Sequence, residues 1–462
     1  MALLAPLFSG CIGGNGSSAA PPANFSVTAG DSRAVLTWTP ADNVDYWIFT
    51  ATDPSLTAFN WTGLANSHAY TSTATPFYMC GLFSGNLSSS TVSALPYYFA
   101  ANGRTNGGQG GPSSTTITAT PYNASSVAWT ALTPPASGVP ATTNLNGIGY
   151  TGLTTCSNNT TSAAGSFAVV GASGAIYTSN DAITWSAPTT PISSDLYAVT
   201  GYAANQNNPG TPGLLWIAVG DGGASIYSTD GTTWYVGTAF DSNSTANPNN
   251  YPLRSITHVA GTYTAVGDAG TVLSTTDGIT WTSHTLTSGT TNNLNGVTHG
   301  NIYVAVGDNG TILISSDGNT WSVKTPTVSL SSTSLRQVAY FGGIYGSLYV
   351  AVGDSGTVVT SQDGGATWIT QTATGIPGTP NLVSVAAEFQ AVANNIADTS
   401  LGFISTMQFM AIDSSGNAYT STNGYTWSSS PISTGASSLN AIVSSGFGYV
   451  AAGNAGVTAY AF

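Results

Sequence analysis

Four aspartates stand in matching surroundings: Asp221, Asp268, Asp308 and Asp354 each follow a Gly and precede an x-Gly pair. Carboxylates recurring at one place are the oxygen donors a hard cation takes, so they are candidates for Ca²⁺ or a cationic ligand. Asp beside Gly is also a favoured tight-turn residue, and turn chemistry alone accounts for the pattern. The turn reading is preferred here, with no cofactor required. A second set, Asp230, Asp277, Asp317 and Asp363, lies four or five residues ahead of Trp234, Trp281, Trp321 and Trp368. His68, His258, His284 and His299 form no metal-ligand spacing, although His258 and His299 end equivalent segments. There is one Glu, Glu388, and no Gly-x-Ser-x-Gly elbow, phosphate loop or haem motif. Two acids at about 5–10 Å would be needed for glycoside hydrolysis, and only a chance pair of Asp would supply them.

The chain that must position these residues has 462 of them, enough for two or three domains. Apolar residues make up 41% and charged residues 5%, far below the roughly 25% of ordinary soluble domains. Its polar surface must therefore come from Ser, Thr, Asn and Gln. Five basic residues against 18 acidic ones argue against nucleic acid or anionic lipid as partner. No run of about 20 apolar residues is long enough for a transmembrane helix.

Residues 302–321 show the organising unit: an apolar strand, Gly-Asp-Asn-Gly, an alternating strand, then Asp-Gly and a Trp. The unit recurs. A first strand begins at Leu145, Leu196, Leu253, Leu294, Leu335, Leu382 and Leu439. A second ends at Gly171, Gly220, Gly267, Gly307, Gly353, Asp413 and Gly453. A third leads to Trp185, Trp234, Trp281, Trp321, Trp368 and Trp427, so six units are complete and the last stops early. Trp129, upstream of every first strand, supplies the missing fourth strand and closes a ring. Four-stranded units at this period predict an all-β fold with a seven-bladed β-propeller over 122–462, closed by an N-terminal strand. Closure removes exposed sheet edges.

The Ser-x-Asp-Gly-x-Thr-Trp turns at 228–234 and 315–321, and with one extra residue at 361–368, resemble the Asp-box of bacterial neuraminidase repeat propellers. The resemblance implies that Asp230, Asp277, Asp317 and Asp363 accept N–H bonds inside their turns, and that the Trp residues wedge between blades. Asp181 reads as displaced from the motif, and Asn423 replaces its Asp in the sixth unit. Asp-box propellers include sialidases, whose site needs three Arg, a Tyr–Glu pair and an Asp. The ring has only Arg254 and Arg336, so that activity is not expected. The Ala-Val-Gly-x-x-Gly repeats also resemble the photosystem II assembly-factor group of propellers, without the basic patch that group implies.

Residues 21–121 carry short alternating strands and regular turns, as in a two-sheet sandwich. Trp38, Tyr97 with Tyr98, and Gly111-Pro112-Ser113-Ser114 resemble a fibronectin type III domain, in which Trp38 packs the core and Tyr97 closes a corner. Residues 1–20 are a signal-like or flexible arm. Phe8-Ser9-Gly10-Cys11 resembles a lipoprotein processing site, with Cys11 the lipidation candidate, though a basic region is lacking. Cys80 and Cys156 then remain as a candidate disulfide between the two domains or as separate thiols. Asn24, Asn60, Asn86, Asn123, Asn159 and Asn243 begin glycosylation sequons. The long segments 203–212, 237–252 and 389–406 are candidate contact loops. The expected protein is a non-catalytic, extracellular or cell-surface binding module, or a self-assembling subunit of a filament, sheath or layer. Its expected partners are copies of itself, another surface protein or a glycan. The alternative is a carbohydrate-binding or carbohydrate-active propeller.

Overall fold

The computed structural model describes residues 17–30, 33–64, 67–72, 77–80, 96–106, 108–120, 129–134, 138–151, 166–203, 214–237, 247, 249–287, 290–343, 346–392, 404–430, 432, 438–445 and 448–461. These fall into two compact units, 17–120 and 129–461.

In the first unit, Ala23–Gly30, Arg33–Thr39 and Phe77–Cys80 form one antiparallel sheet. Asp45–Ala51, His68–Ser72 and Tyr97–Arg104 form a second, with Ser18–Ala19 and Ile117–Ala119 both pairing to Tyr97–Arg104. Leu36 and Trp38 of one sheet share a core with Tyr46, Ile48, Tyr97 and Phe99 of the other. Alternation along each strand places these side chains inward. Trp38 and Tyr46 meet edge-on with ring centroids 5.8 Å apart, a favoured aromatic geometry. Among the described residues pairing begins at Ser18, just ahead of the boundary drawn at residue 20. Residues 1–16, with the lipidation candidate Cys11, lie outside the described residues, as does Cys156. Cys80 ends a strand opposite Arg33, and the proposed bridge is likewise beyond the described residues.

The second unit contains seven sheets among the described residues, numbered I to VII, with strands a to d from first to last. Sheet I has Leu145–Tyr150, Phe167–Gly171 and Ile176–Ser179, with Thr178 bridged to Ser186 where a d strand would lie. Sheet II has Leu196–Ala203, Leu214–Gly220, Ser225–Ser228 and Tyr235–Val236. Sheet III has Leu253–Val259, Thr262–Gly267, Val272–Thr275 and Thr282–Ser283. Sheet IV has Leu294–His299, Tyr303–Gly307, Ile312–Ser315 and Thr320–Lys324, with Thr285–Leu286 added in parallel at its outer edge. Sheet V has Leu335–Gly343, Gly346–Gly353, Val358–Ser361 and Ile369–Gln371. Sheet VI has Leu382–Val392, Ile404–Asp413, Ala418–Ser421 and Ser428–Ser430. Sheet VII has Leu439–Ser444, Tyr449–Gly453 and Thr458–Ala461, and its d strand is Thr130–Leu132, with Ala131 opposite Ala459. Each a strand contacts the a strand of the next sheet, and Leu439–Ser444 contacts Leu145–Tyr150, so the sheets run round a closed circle.

The b strands are buried along their length, as in Tyr303–Gly307, because sheets cover both of their faces. Two glycines of the Gly-Asp-x-Gly turn are needed for different reasons. Gly307 is extended, but a Cβ there would meet the Asn293 carbonyl oxygen at 2.0 Å. Gly310 is left-handed at φ 66°, and its Cβ would meet Leu330 Cβ at 2.3 Å. Sheet VI breaks the pattern. Asp413 occupies the first glycine's place, buried, and its carboxylate accepts the N–H groups of Ser415 and Asn417 and the Tyr419 hydroxyl at 2.8 Å. The side chain there organises a turn that glycine organises elsewhere.

Candidate functional site

Every a strand carries a β-bulge at the residue after its first Leu. A bulge re-aims a side chain out of the regular pleat. The re-aimed residues are Asn146, Tyr197, Arg254, Asn295, Arg336, Val383 and Asn440, one per sheet. Three of them stitch neighbouring sheets. Asn146, Asn295 and Asn440 donate from Nδ2 to the carbonyls of Leu196, Leu335 and Leu145 at 2.8–3.0 Å. Innermost strands have no partner sheet on their axial side, so these amides satisfy backbone groups that would otherwise face the centre unpaired.

Arg254, Arg336 and, with its second hydrogen bond, Asn295 meet turn aspartates. Arg254 forms a two-pronged ion pair with Asp268, and Arg336 does the same with Asp354 at 2.8 Å on both prongs. Asn295 donates to Asp308 Oδ1 at 2.9 Å while Asn293 donates to Oδ2. Burial pulls the Asp308 carboxyl up, but the hydrogen bonds from Asn295, Ser334 and Asn293, with the Arg336 charge, outweigh it and hold the pKa below the usual range. Asp268 and Asp354 raise the pKa of their arginines, chiefly through these hydrogen bonds. Tyr197 is pushed up by burial first and then by Asp221 and Asp195. Three of the four carboxylates weighed as Ca²⁺ candidates are therefore engaged by protein groups. Asp268 and Asp354 are each matched by a guanidinium, and Asp308 is occupied by amides. Among the described residues no three His, Cys, Asp or Glu side chains come close enough to hold a metal ion.

The c–d turns use their aspartates internally. Asp230 Oδ1 accepts the N–H groups of Thr232 and Thr233 at 2.7 Å and the Ser228 hydroxyl. Those backbone bonds hold its carboxyl well below the usual range. Asp277 and Asp317 repeat the arrangement, and Asp363 does so across one extra residue. Asn423 Oδ1 accepts from Tyr425 and Thr426 in the same way. Asp181 is not displaced: it accepts from Ile183, Thr184 and Ser179. What differs is Ala182, which takes the glycine's left-handed place at φ 61° and hides the Asp-Gly signature.

Each Trp after these turns sits in the cluster between its own sheet and the one before. Trp234 packs between I and II, Trp281 between II and III, Trp321 between III and IV, and Trp368 between IV and V. Trp427, Trp129 and Trp185 fill the last three interfaces. The other singled-out groups stay apart from any common site. His258 stacks between Tyr202 and Tyr263, with centroids 4.5 Å away on each side, and its Nε2 accepts the Gly261 N–H. Burial pushes its pKa down to about 4. His299 leans on Tyr303, and His284 contacts Ser274. Glu388 is buried directly opposite Gln408. Arg254 and Arg336 are both committed to aspartates, so no arginine cluster forms between them. Of the candidate loops, most of 203–212, 237–252 and 389–406 lies outside the described residues.

Sequence reasoning placed the turn aspartates but missed the bulges. The signal was present as one polar residue after the first Leu in six of the seven units. No family model matches the chain, and no curated protein does. Solved structures do match in shape. Virginiamycin B lyase from Staphylococcus aureus superposes with a TM-score of 0.51 at 11% identity, covering 72% of this chain and 98% of that one. A streptogramin B lyase gives 0.51 at 10% identity, over 72% and 97%. The second unit is a β-propeller. YCF48 bound to D1 peptide also matches, at 14% identity over 74% of this chain and 96% of that one, with a TM-score of 0.49. At these identities the likeness concerns the propeller's shape alone.

Proposed function

We propose that this chain is a non-catalytic, exported binding or self-assembly module, in which a fibronectin type III-like sandwich precedes a seven-bladed Asp-box propeller. One observation carries the reading: ten of the propeller's carboxylates are engaged by its own backbone and side chains. Asp181, Asp230, Asp277, Asp317 and Asp363 accept from their own turns. Asp195 and Asp413 also accept backbone N–H groups, and Asp268, Asp308 and Asp354 are matched by Arg or Asn. A general acid or base must be free to exchange a proton with substrate, and these are not. With charged residues at 5%, little ion desolvation opposes packing against a like surface. Light scattering and negative-stain imaging of the full chain test this. Ordered assemblies that grow with concentration are expected. A particle of one chain at every concentration that also hydrolyses a glycan would overturn it.

A second reading, glycan binding, has a specific motive. Tyr202 is 40% exposed and stacked on His258, a flat ring held ready for the apolar face of a sugar. Titration with neutral oligosaccharides against Tyr202→Ala separates it from the first reading.

A further inference from the structure

The two ends of the inner hairpins differ in chemistry. In sheets II to V, the end where the a strands start carries Asp221, Asp268, Asp308, Asp354, Arg254 and Arg336. Beyond those positions the hairpins are uncharged: residues 198–220, 255–267, 295–307 and 337–353 contain no Asp, Glu, Lys or Arg. The opposite end, where each a strand gives way to its b strand, is aromatic instead. Three cross-strand pairs build it. His258 lies opposite Tyr263, His299 opposite Tyr303 and Tyr340 opposite Tyr349, at the same place in sheets III, IV and V. Their ring centroids are 4.5, 4.3 and 4.6 Å apart. In each pair the b-strand ring is buried and the a-strand ring is partly exposed. A buried partner of this kind holds the outer ring's plane. Sheet II adds Tyr202, 40% exposed, with its centroid 4.5 Å from that of His258.

Two glycines make room for one of these rings. A Cβ at Gly300 would meet Tyr340 Cγ at 2.3 Å, and one at Gly342 would meet the Tyr340 hydroxyl at 2.1 Å. Tyr340 of sheet V therefore lies against the hairpin of sheet IV, where its hydroxyl donates to Oδ1 of the exposed Asn301 at 2.9 Å. Tyr202, His258, His299 and Tyr340 thus place one braced ring on each of four successive sheets. The c–d turns at this end also carry aspartates, but Asp230, Asp277, Asp317 and Asp363 accept from their own turns.

We infer that this arc of rings binds a neutral glycan chain of gluco-configured sugars. A pyranose with every substituent equatorial shows only C–H groups on its faces, and such a face lies flat on an aromatic ring. Tyr340, Asn301 and the imidazoles supply polar partners for its hydroxyls. A charged chain would find no counter-charge on these hairpins. A polyproline peptide seats its side chains in slots between rings, whereas here Tyr263, Tyr303 and Tyr349 fill the space behind each a-strand ring and leave platforms. The rings are ordered before a ligand arrives, so little side-chain freedom is lost on binding. This rests on the glycan-binding reading above and names the class of glycan and the residues that hold it.

Isothermal titration calorimetry on the full chain tests the inference. The probes are cellohexaose and maltohexaose, two neutral glucose chains that differ in linkage, their disaccharides, and oligoproline. The proteins are the natural sequence, Tyr202→Ala, Gly300→Ala and, as a control elsewhere on the propeller, Tyr235→Ala. Tyr202 and Tyr235 are exposed, so their truncation leaves the core intact, and circular dichroism and melting temperature check folding. Gly300→Ala pushes the Tyr340 ring off its seat without removing it. At least one hexasaccharide is expected to bind the natural chain, and its disaccharide about tenfold more weakly because it covers fewer rings. Tyr202→Ala and Gly300→Ala should each weaken the hexasaccharide by about tenfold, the loss of one stacked ring, while Tyr235→Ala leaves it unchanged. Hexasaccharide binding that Tyr202→Ala does not alter leaves the glycan reading standing and refutes this site. A disaccharide that binds as tightly as its hexasaccharide refutes an arc spanning several sheets. A chain that binds neither hexasaccharide overturns the glycan reading and this inference together. Tyr202-dependent binding of oligoproline in place of the sugars refutes it in favour of a peptide.

Discussion

Replacing Trp321 by Phe and, separately, Trp427 by Phe should give unequal losses of stability. Both indoles are buried between sheets, Trp321 with no exposed surface and Trp427 with 2%. They differ in one bond. Trp321 Nε1 donates to the Gly318 carbonyl at 2.9 Å, whereas Trp427 Nε1 finds no acceptor among the described residues. Shrinking indole to phenyl leaves a similar void at each site, worth about 1–2 kcal/mol. At Trp321 the change also strips a buried carbonyl of its donor, adding about 1 kcal/mol. At Trp427 it removes a buried N–H that already lacks a partner, which returns about 1 kcal/mol or more. The expected gap is therefore about 2 kcal/mol, with Trp427→Phe near neutral. Urea unfolding followed by far-ultraviolet circular dichroism measures it without relying on tryptophan emission. The slope of each transition should stay constant, so that midpoints can be compared. Equal losses, or a larger loss at Trp427, would refute the claim that turn-to-indole hydrogen bonding separates the two interfaces.

Asp277→Ala should destabilise the propeller by about 1–2 kcal/mol, the cost of removing a side-chain cap, because the N–H groups of Ile279 and Thr280 lose their acceptor. Asp277→Asn should cost far less, since Asn423 already performs that role in sheet VI; thermal melts of both variants decide it. His258 has a folded pKa pushed down to about 4 by burial, below the usual 6.5. The unfolded chain therefore binds the extra proton first, and stability present above pH 6.5 is lost as pH falls toward 4. After allowing for the ring's partial exposure, the loss should be about 1 kcal/mol, and His258→Gln should flatten that part of the pH–stability curve.

Much of the ring was readable because its period is long and its punctuation chemical. Leu at each a strand, Gly at the end of most b strands and Trp at each interface are fixed by packing with an identical neighbour. Such constraints repeat in sequence as they do in space. The errors came where a different residue met the same constraint. Ala182 accepts a left-handed conformation that glycine fills in sheets II to IV, so the turn around Asp181 looked irregular although its hydrogen bonds are the usual ones. Asp413 stands where glycine is otherwise required, because its carboxylate builds a different turn. The pairing of residues 18–19 was hidden for another reason. A two-residue strand, Ser18–Ala19, has no period to betray it, and only its partner Tyr97–Arg104 defines it.

The bulge residues show why a site is harder to read than a fold. Sequence alone put Asp268 and Asp354 on one face and left their charge unbalanced, which made a cation plausible. Arg254 and Arg336 are 14 and 18 residues away along the chain, but a bulge turns each across its own sheet onto the aspartate. A regular strand would have sent both side chains along the pleat. The extra backbone residue, invisible in composition or alternation, converts an apparent ligand cage into matched ion pairs. It also frees the Asn bulge residues to tie one sheet to the next. The physical difference between an empty cation site and a stitched ring is thus one inserted residue per strand, repeated seven times.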